Sequence, residues 1–137
     1  AAGFEVARSF AQYAGIRSPG EPKHKQPFGP REEIFVMNKS TVPVGTGKKV
    51  EAIIAQHYTG DFAYASCPEF LREGCAVDDF FSPDRVVIGV RTDRASDVML
   101  DVFKDIRGQK VVTTVESAEL IKYASNAFLA TKISFIN

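Results

Sequence analysis

Residues 34–58 read IFVMNKSTVPVGTGKKVEAIIAQHY, and this stretch decides the fold. Ile34 to Lys39 is an apolar run of strand length. Ser40, Thr41, Pro43, Gly45 and Gly47 break it, and Val50, Ile53, Ile54 and Tyr58 then recur at helical spacing. The segment therefore reads as strand, loop and helix. A loop between the carboxyl end of a strand and the start of a helix is where α/β sheets bind ligands, and its glycines let the backbone come close to one. The loop fits neither standard phosphate motif. GxGxxG would need glycine where Val50 stands, and a P-loop would need glycine at Val42 and Ser or Thr at Lys49. Thr41 reads equally as a turn residue or a ligand contact, and Thr46 as the helix N-cap.

Outward from this stretch the alternation continues. Phe62 to Ser66 forms a short strand, Ser82, Pro83 and Asp84 a turn, and Val86 to Val90 a β-branched strand. Met99, Val102, Phe103 and Ile106 mark a helix from about Ala95 to Ile106, and Lys110 to Val115 returns to strand. The last helix begins near Ser117, with Glu119 favourable in its first turn, and runs to Asn137. Upstream, Phe4, Ala7, Ala11 and Ala14 predict a helix over residues 3–15. The segment from Arg17 to Glu33 carries Pro19, Pro22, Pro27 and Pro30 among Lys23, His24, Lys25 and Arg31 and reads as a surface loop, its basic residues a solvated cluster or a phosphate contact. The order αβαββαβα calls for an α/β fold with a mostly parallel sheet and right-handed crossovers. Opening on one helix and closing inside another, the chain reads as cut at both ends.

At 137 residues, 45% hydrophobic and 25% charged, the chain is the size of one ordinary globular domain. Lys plus Arg and Asp plus Glu both number 17, so no net field draws it to nucleic acid or an anionic membrane. Apolar runs fall short of the roughly 20 residues of a membrane span, and the N-terminus AAGFEVARSF lacks a signal pattern. Cys67 and Cys75 stand eight apart with neither CxxC spacing nor a neighbouring histidine pair, so no metal site and no disulfide scaffold is expected, and a reducing cytoplasm fits.

Two further segments carry chemistry. CPEFLREG sets Glu69 and Glu73 four apart; if the chain turns helically after Pro68, both carboxylates share a side, where crowding or contact with Phe70 and Leu71 would raise the pKa of one toward acid–base use. The alternative is a set of exposed ion pairs with Arg72. In the last helix Lys122 and Asn126 are again four apart and point the same way, as a clamp for a developing oxyanion or as a solvated pair. Leu120, Ile121, Ala124, Ala127, Phe128 and Ile133 leave that helix little polar surface, so burial in a larger assembly is expected.

Taken together, KSTVPVGTG, PEFLREG with SPDRVVIG, and AELIKYASNAFLATKISFIN resemble, in order and spacing, the UDP-glucose and GDP-mannose dehydrogenases over about Ile34 to Asn137. EFLREG and KISFIN look more like the UDP-glucose branch; GDP-mannose, UDP-N-acetyl sugars and a truncated non-catalytic binding module are the alternatives. The resemblance implies residues 1–116 as part of a Rossmann-like NAD-binding domain and 117–137 as the start of a central helix that pairs subunits into a homodimer or higher oligomer. It implies NAD as cofactor and a UDP-sugar as substrate, whose C6 alcohol becomes a carboxylate in two NAD-dependent steps through a cysteine thioester.

Residue by residue, the resemblance places Ser40, Thr41 and Val42 at the NAD site, with Thr41 also holding a catalytic water. Glu73 is a shared cofactor and water contact, Glu69 the general acid/base, and Glu69, Phe70, Leu71, Arg72 and Glu73 line the sugar. Lys122 and Asn126 steady the oxyanion at C6. The glycine-rich βαβ turn and the GGSC nucleophile segment are expected outside these 137 residues, so the chain alone is expected to be inactive. Cys67, standing where many relatives have Asn, is not the nucleophile, and Cys75 reads as structural.

Overall fold

A computed structural model describes residues 33–137, so the helix expected over 3–15 and residues 17–32 of the proline-rich loop lie outside the described residues. The described elements run β1 (Ile34–Asn38), α1 (Thr46–His57), β2 (Phe62–Ser66), α2 (Ala76–Phe81), β3 (Arg85–Gly89), α3 (Asp93–Val102), β4 (Gln109–Thr113) and α4 (Val115–Ile136). The strands hydrogen-bond in the order β1-β2-β3-β4, with β1 parallel to β2 and β3 parallel to β4. The sheet is mostly parallel, and its middle pairing is the exception: β2 and β3 are antiparallel and meet at the single pair Ser66 and Gly89.

This junction positions everything that follows. Asn38 pairs with Ser66, Ser66 with Gly89 and Gly89 with Thr113, so the last residues of all four strands form one row across the sheet. The two parallel pairs approach that row from opposite directions, and the loops leaving every strand start there.

Side-chain alternation then sorts the layers. Ala65 and Cys67 of the β2 segment and Ile88 and Val90 of the β3 segment pack against Ala95, Met99 and Phe103 from α3 and the turn after it. On the opposite face, Tyr64 and Gly89 lie against α1 and α4: a Cβ on Gly47 would fall 2.8 Å from the Tyr64 ring, and one on Gly89 would fall 2.5 Å from Ala118. Ile54, Ile88 and Val115 are fully buried and fill the two interfaces. Truncating such a side chain to alanine typically costs about 2–5 kcal/mol.

Two local expectations need correction, and one open reading is decided. Gly45, not Thr46, caps α1: it holds φ 88°, a left-handed conformation natural to glycine, while the Thr46 hydroxyl, already in the helix, donates to the Pro43 carbonyl at 2.6 Å. The chain after Pro68 is irregular over 68–72, with a turn at Glu73 and Gly74, so the helical turn that would set Glu69 and Glu73 on one side is not formed. Helix α4 begins at Val115, where strand was expected, because the Thr114 hydroxyl accepts from the Ser117 amide at 3.2 Å and caps it. Beyond its first turns α4 is exposed in this chain, Phe128, Phe135 and Ile136 included.

Candidate functional site

Three segments meet near the carboxyl row: the loop after β1, the irregular run after β2, and α4. Lys39 Nζ, one residue past β1, lies 3.1 Å from Glu69 Oε1, both side chains about one-third exposed. Lys39 also stands 5.2 Å from the Phe80 ring centre and 5.7 Å from that of Phe103. Lys122 Nζ sits 4.9 Å from the Phe70 ring centre and Arg85 5.2 Å from it, within cation–π range, so the run bearing Glu69 is held against α4. A pocket lined by Lys39, Cys67, Glu69, Phe70, Arg85 and Phe103 opens beside this meeting point.

The structure unites some expected site residues and leaves others apart. Glu69, Phe70 and Lys122 come together through Lys39 and the Phe70 ring. Ser40, Thr41, Leu71, Glu73 and Asn126 are exposed on the same three segments, and Val42 is half-buried. Arg72 is turned away from the glutamates. Its Nε and Nη2 donate to the two Asp79 oxygens at 3.0 and 2.7 Å, and its backbone N–H donates to Asp79 Oδ2 at 2.9 Å. These bonds hold the Asp79 carboxyl down at about 2 and push the guanidinium up. Their structural effect is to fasten the Glu69–Glu73 run to α2.

Two residues with a structural hold on the site escaped sequence reasoning. Lys39 read as a strand residue. Glu119 read as a first-turn residue of the last helix, yet it is 1% exposed and accepts from the Gly45 and Gly47 amides at 2.7 Å each. The only sequence signal for this was a carboxylate set between Ala118 and Leu120. Arg91, just past β3, bridges Glu51 of α1 at 2.8 Å and Glu116 of α4 at 3.1 Å and braces the same helix pair from outside.

Ser40, Thr41 and Val42, the residues expected at the cofactor, follow the carboxyl end of β1. The loop they open runs on to α1. The start of α1 is not free for a ligand: the amides there, an ordinary anion site, are already bonded to Glu119. Burial pushes the Cys67 thiol up to about 11, which keeps it protonated and unreactive at neutral pH, and Cys75 is exposed. Among the described residues no cluster of three or more His, Cys, Asp or Glu is placed to hold a metal, and no helix is long and apolar enough to cross a membrane.

Comparison with known proteins identifies the family. Residues 29–107 match the UDP-glucose/GDP-mannose dehydrogenase family, NAD binding domain, and residues 116–137 match the central domain of the same family. The chain is 53% identical over 108 residues to a UDP-glucose 6-dehydrogenase of Rhizobium meliloti, covering 74% of the chain and 25% of the relative. It is 48% identical over 104 residues to the UDP-glucose 6-dehydrogenase TuaD of Bacillus subtilis, covering 74% and 23%. Among solved structures, a UDP-glucose dehydrogenase from Pyrobaculum islandicum superposes with a TM-score of 0.75 at 50% identity, covering 77% of the chain and 25% of that structure. A GDP-mannose dehydrogenase from Pseudomonas aeruginosa superposes at 0.71 with 27% identity, covering 96% and 29%. The chain thus spans about a quarter of the length of these relatives. With the NAD-binding domain matched over most of its described length and the central domain over its last helix, the chain belongs to the UDP-glucose/GDP-mannose dehydrogenase family.

Proposed function

We propose that this chain is the second half of the NAD-binding domain and the start of the central helix of a UDP-glucose 6-dehydrogenase, which oxidises UDP-glucose to UDP-glucuronate. One observation carries the reading: Glu69, paired with Lys39, and Phe70, whose ring carries the α4 cation Lys122, line one pocket just past the end of β2. UDP-glucose is favoured because the chain is 48% and 53% identical to proteins that carry that name and 27% identical to the GDP-mannose enzyme.

In this reading Glu69 moves the proton of the C6 alcohol, and Lys39 holds its carboxylate in place. Lys122 and Asn126, one turn apart on α4, donate to the oxygen that becomes negative at C6. Thr41 and Glu73 hold the water that hydrolyses the cysteine thioester left by the second oxidation, and Ser40, Thr41, Val42 and Glu73 contact the cofactor. NAD, when bound, supplies the hydride acceptor for both steps. Exposed apolar residues along α4, from Leu120 to Ile136, suit subunit pairing by that helix, and a cytoplasmic setting suits a nucleotide-sugar substrate. The test is NAD reduction by the full-length protein with UDP-glucose and, separately, with GDP-mannose. UDP-glucose is expected to give the higher kcat/KM; a preference for GDP-mannose would assign the other branch.

A further inference from the structure

The carboxylate of Glu119 is buried between two helices and spends both its oxygens on backbone amides across the interface: Gly45 N–H on one and Gly47 N–H on the other, each at 2.7 Å. A buried carboxylate is a costly way to join two helices, since it must be stripped of water, and an apolar side chain would pack as well. What it adds is a fixed distance and rotation. Two short charge-assisted bonds, to the α1 cap Gly45 and to Gly47 two residues on, restrict sliding of the helices, and the positive end of α1 favours the charge. The close approach is built in, because a Cβ on Gly47 would fall 2.6 Å from Val115 Cγ1 and 3.3 Å from Glu119 Oε1.

The two ends of this tie are the two halves of the site. Lys122 is one turn further along α4 from Glu119 and on the same side of it. Gly45 follows Val42 with Pro43 and Val44 between, and the fixed φ of Pro43 stiffens the link to Thr41. We propose that Glu119 is a positioning residue that sets the Ser40–Val42 loop against Lys122. The proposal rests on the dehydrogenase reading above. It touches neither substrate nor cofactor and works through the residues it holds.

The test uses the full-length dehydrogenase with Glu119→Gln, which keeps the shape but turns a donor toward one of the two amides. Thr41→Ala and the double variant complete the set. Glu119→Gln is expected to lower kcat about ten- to hundredfold, as a displacement of about 1 Å does, with KM for UDP-glucose held within about threefold. Hydrogen exchange at the Gly45 and Gly47 amides should quicken, and in the Thr41→Ala background the same change should lower kcat by less than about threefold further, because the loop's contribution is already lost. A folded Glu119→Gln enzyme with wild-type kcat, or one whose loss multiplies fully with that of Thr41→Ala, overturns the proposal. Should Glu119→Gln not fold, Pro43→Gly loosens the same link at an exposed position, and there unchanged kcat overturns it. Wild-type protein without turnover sinks the dehydrogenase reading and the proposal together, whereas an active wild type with indifferent variants sinks the proposal alone.

Discussion

The ammonium of Lys122 rests over the Phe70 ring, beside the run that bears Glu69. In the proposed reading that cation stabilises the charge that develops on the C6 oxygen. In the full-length enzyme Lys122→Ala is expected to lower kcat by about 10²–10³ with the fold retained, as loss of one oxyanion donor typically does. Steady-state kinetics checks this, with circular dichroism as the control. Asn126→Ala should act in the same direction, and the pair together should cost less than their summed effects. The Arg72–Asp79 pair gives a second residue-level outcome. Asp79 is held at about 2 against an ordinary 3.8, so its contribution to stability is whole above about pH 4 and is lost as pH falls through about 2. Acid titration of Asp79→Asn beside wild type should show a stability gap at neutral pH that closes toward pH 2, and a gap that widens on acidification would contradict the pairing.

At the scale of elements, the helix pair α1 and α4 is set by close approach at Gly47, where a side chain would overlap Val115 and the Tyr64 ring. Gly47→Ala is expected to destabilise the fold by about 1–3 kcal/mol through overpacking, read from the urea midpoint. Seven of the eight described elements were legible in the sequence because each is a run of strand or helix period bounded by Gly, Pro or a capping Thr. Helix α2 was not, since AVDDFF is six residues long and too short to show a period. Whether the chain turns helically after Pro68 stayed open in the sequence, since four-residue spacing alone does not decide it; the irregular run after β2 is held by Lys39, Lys122 and Asp79, contacts that no local pattern shows. Spacing left Glu69 and Lys122 open between chemistry and surface pairing, the resemblance alone gave them roles, and neither reached Glu119, whose partners lie 74 and 72 residues away.

For the whole molecule the governing feature is the row Asn38, Ser66, Gly89 and Thr113, where two parallel strand pairs end face to face. No local pattern could reveal it: alternating strands and helices specify parallel pairs, whereas the antiparallel seam rests on one long-range pairing. The seam is what lets the loops after β1 and β2 and the helix after β4 share one site. Taken alone, the 137 residues are expected to give no NAD reduction with UDP-glucose, since they span about a quarter of the length of the relatives that carry that name. The most direct measurement is the NADH formed per UDP-glucose consumed by the full-length protein. Two NADH per sugar, with UDP-glucuronate as product, is the outcome the account predicts. No NADH, or a single NADH with the sugar released as the aldehyde, would contradict it.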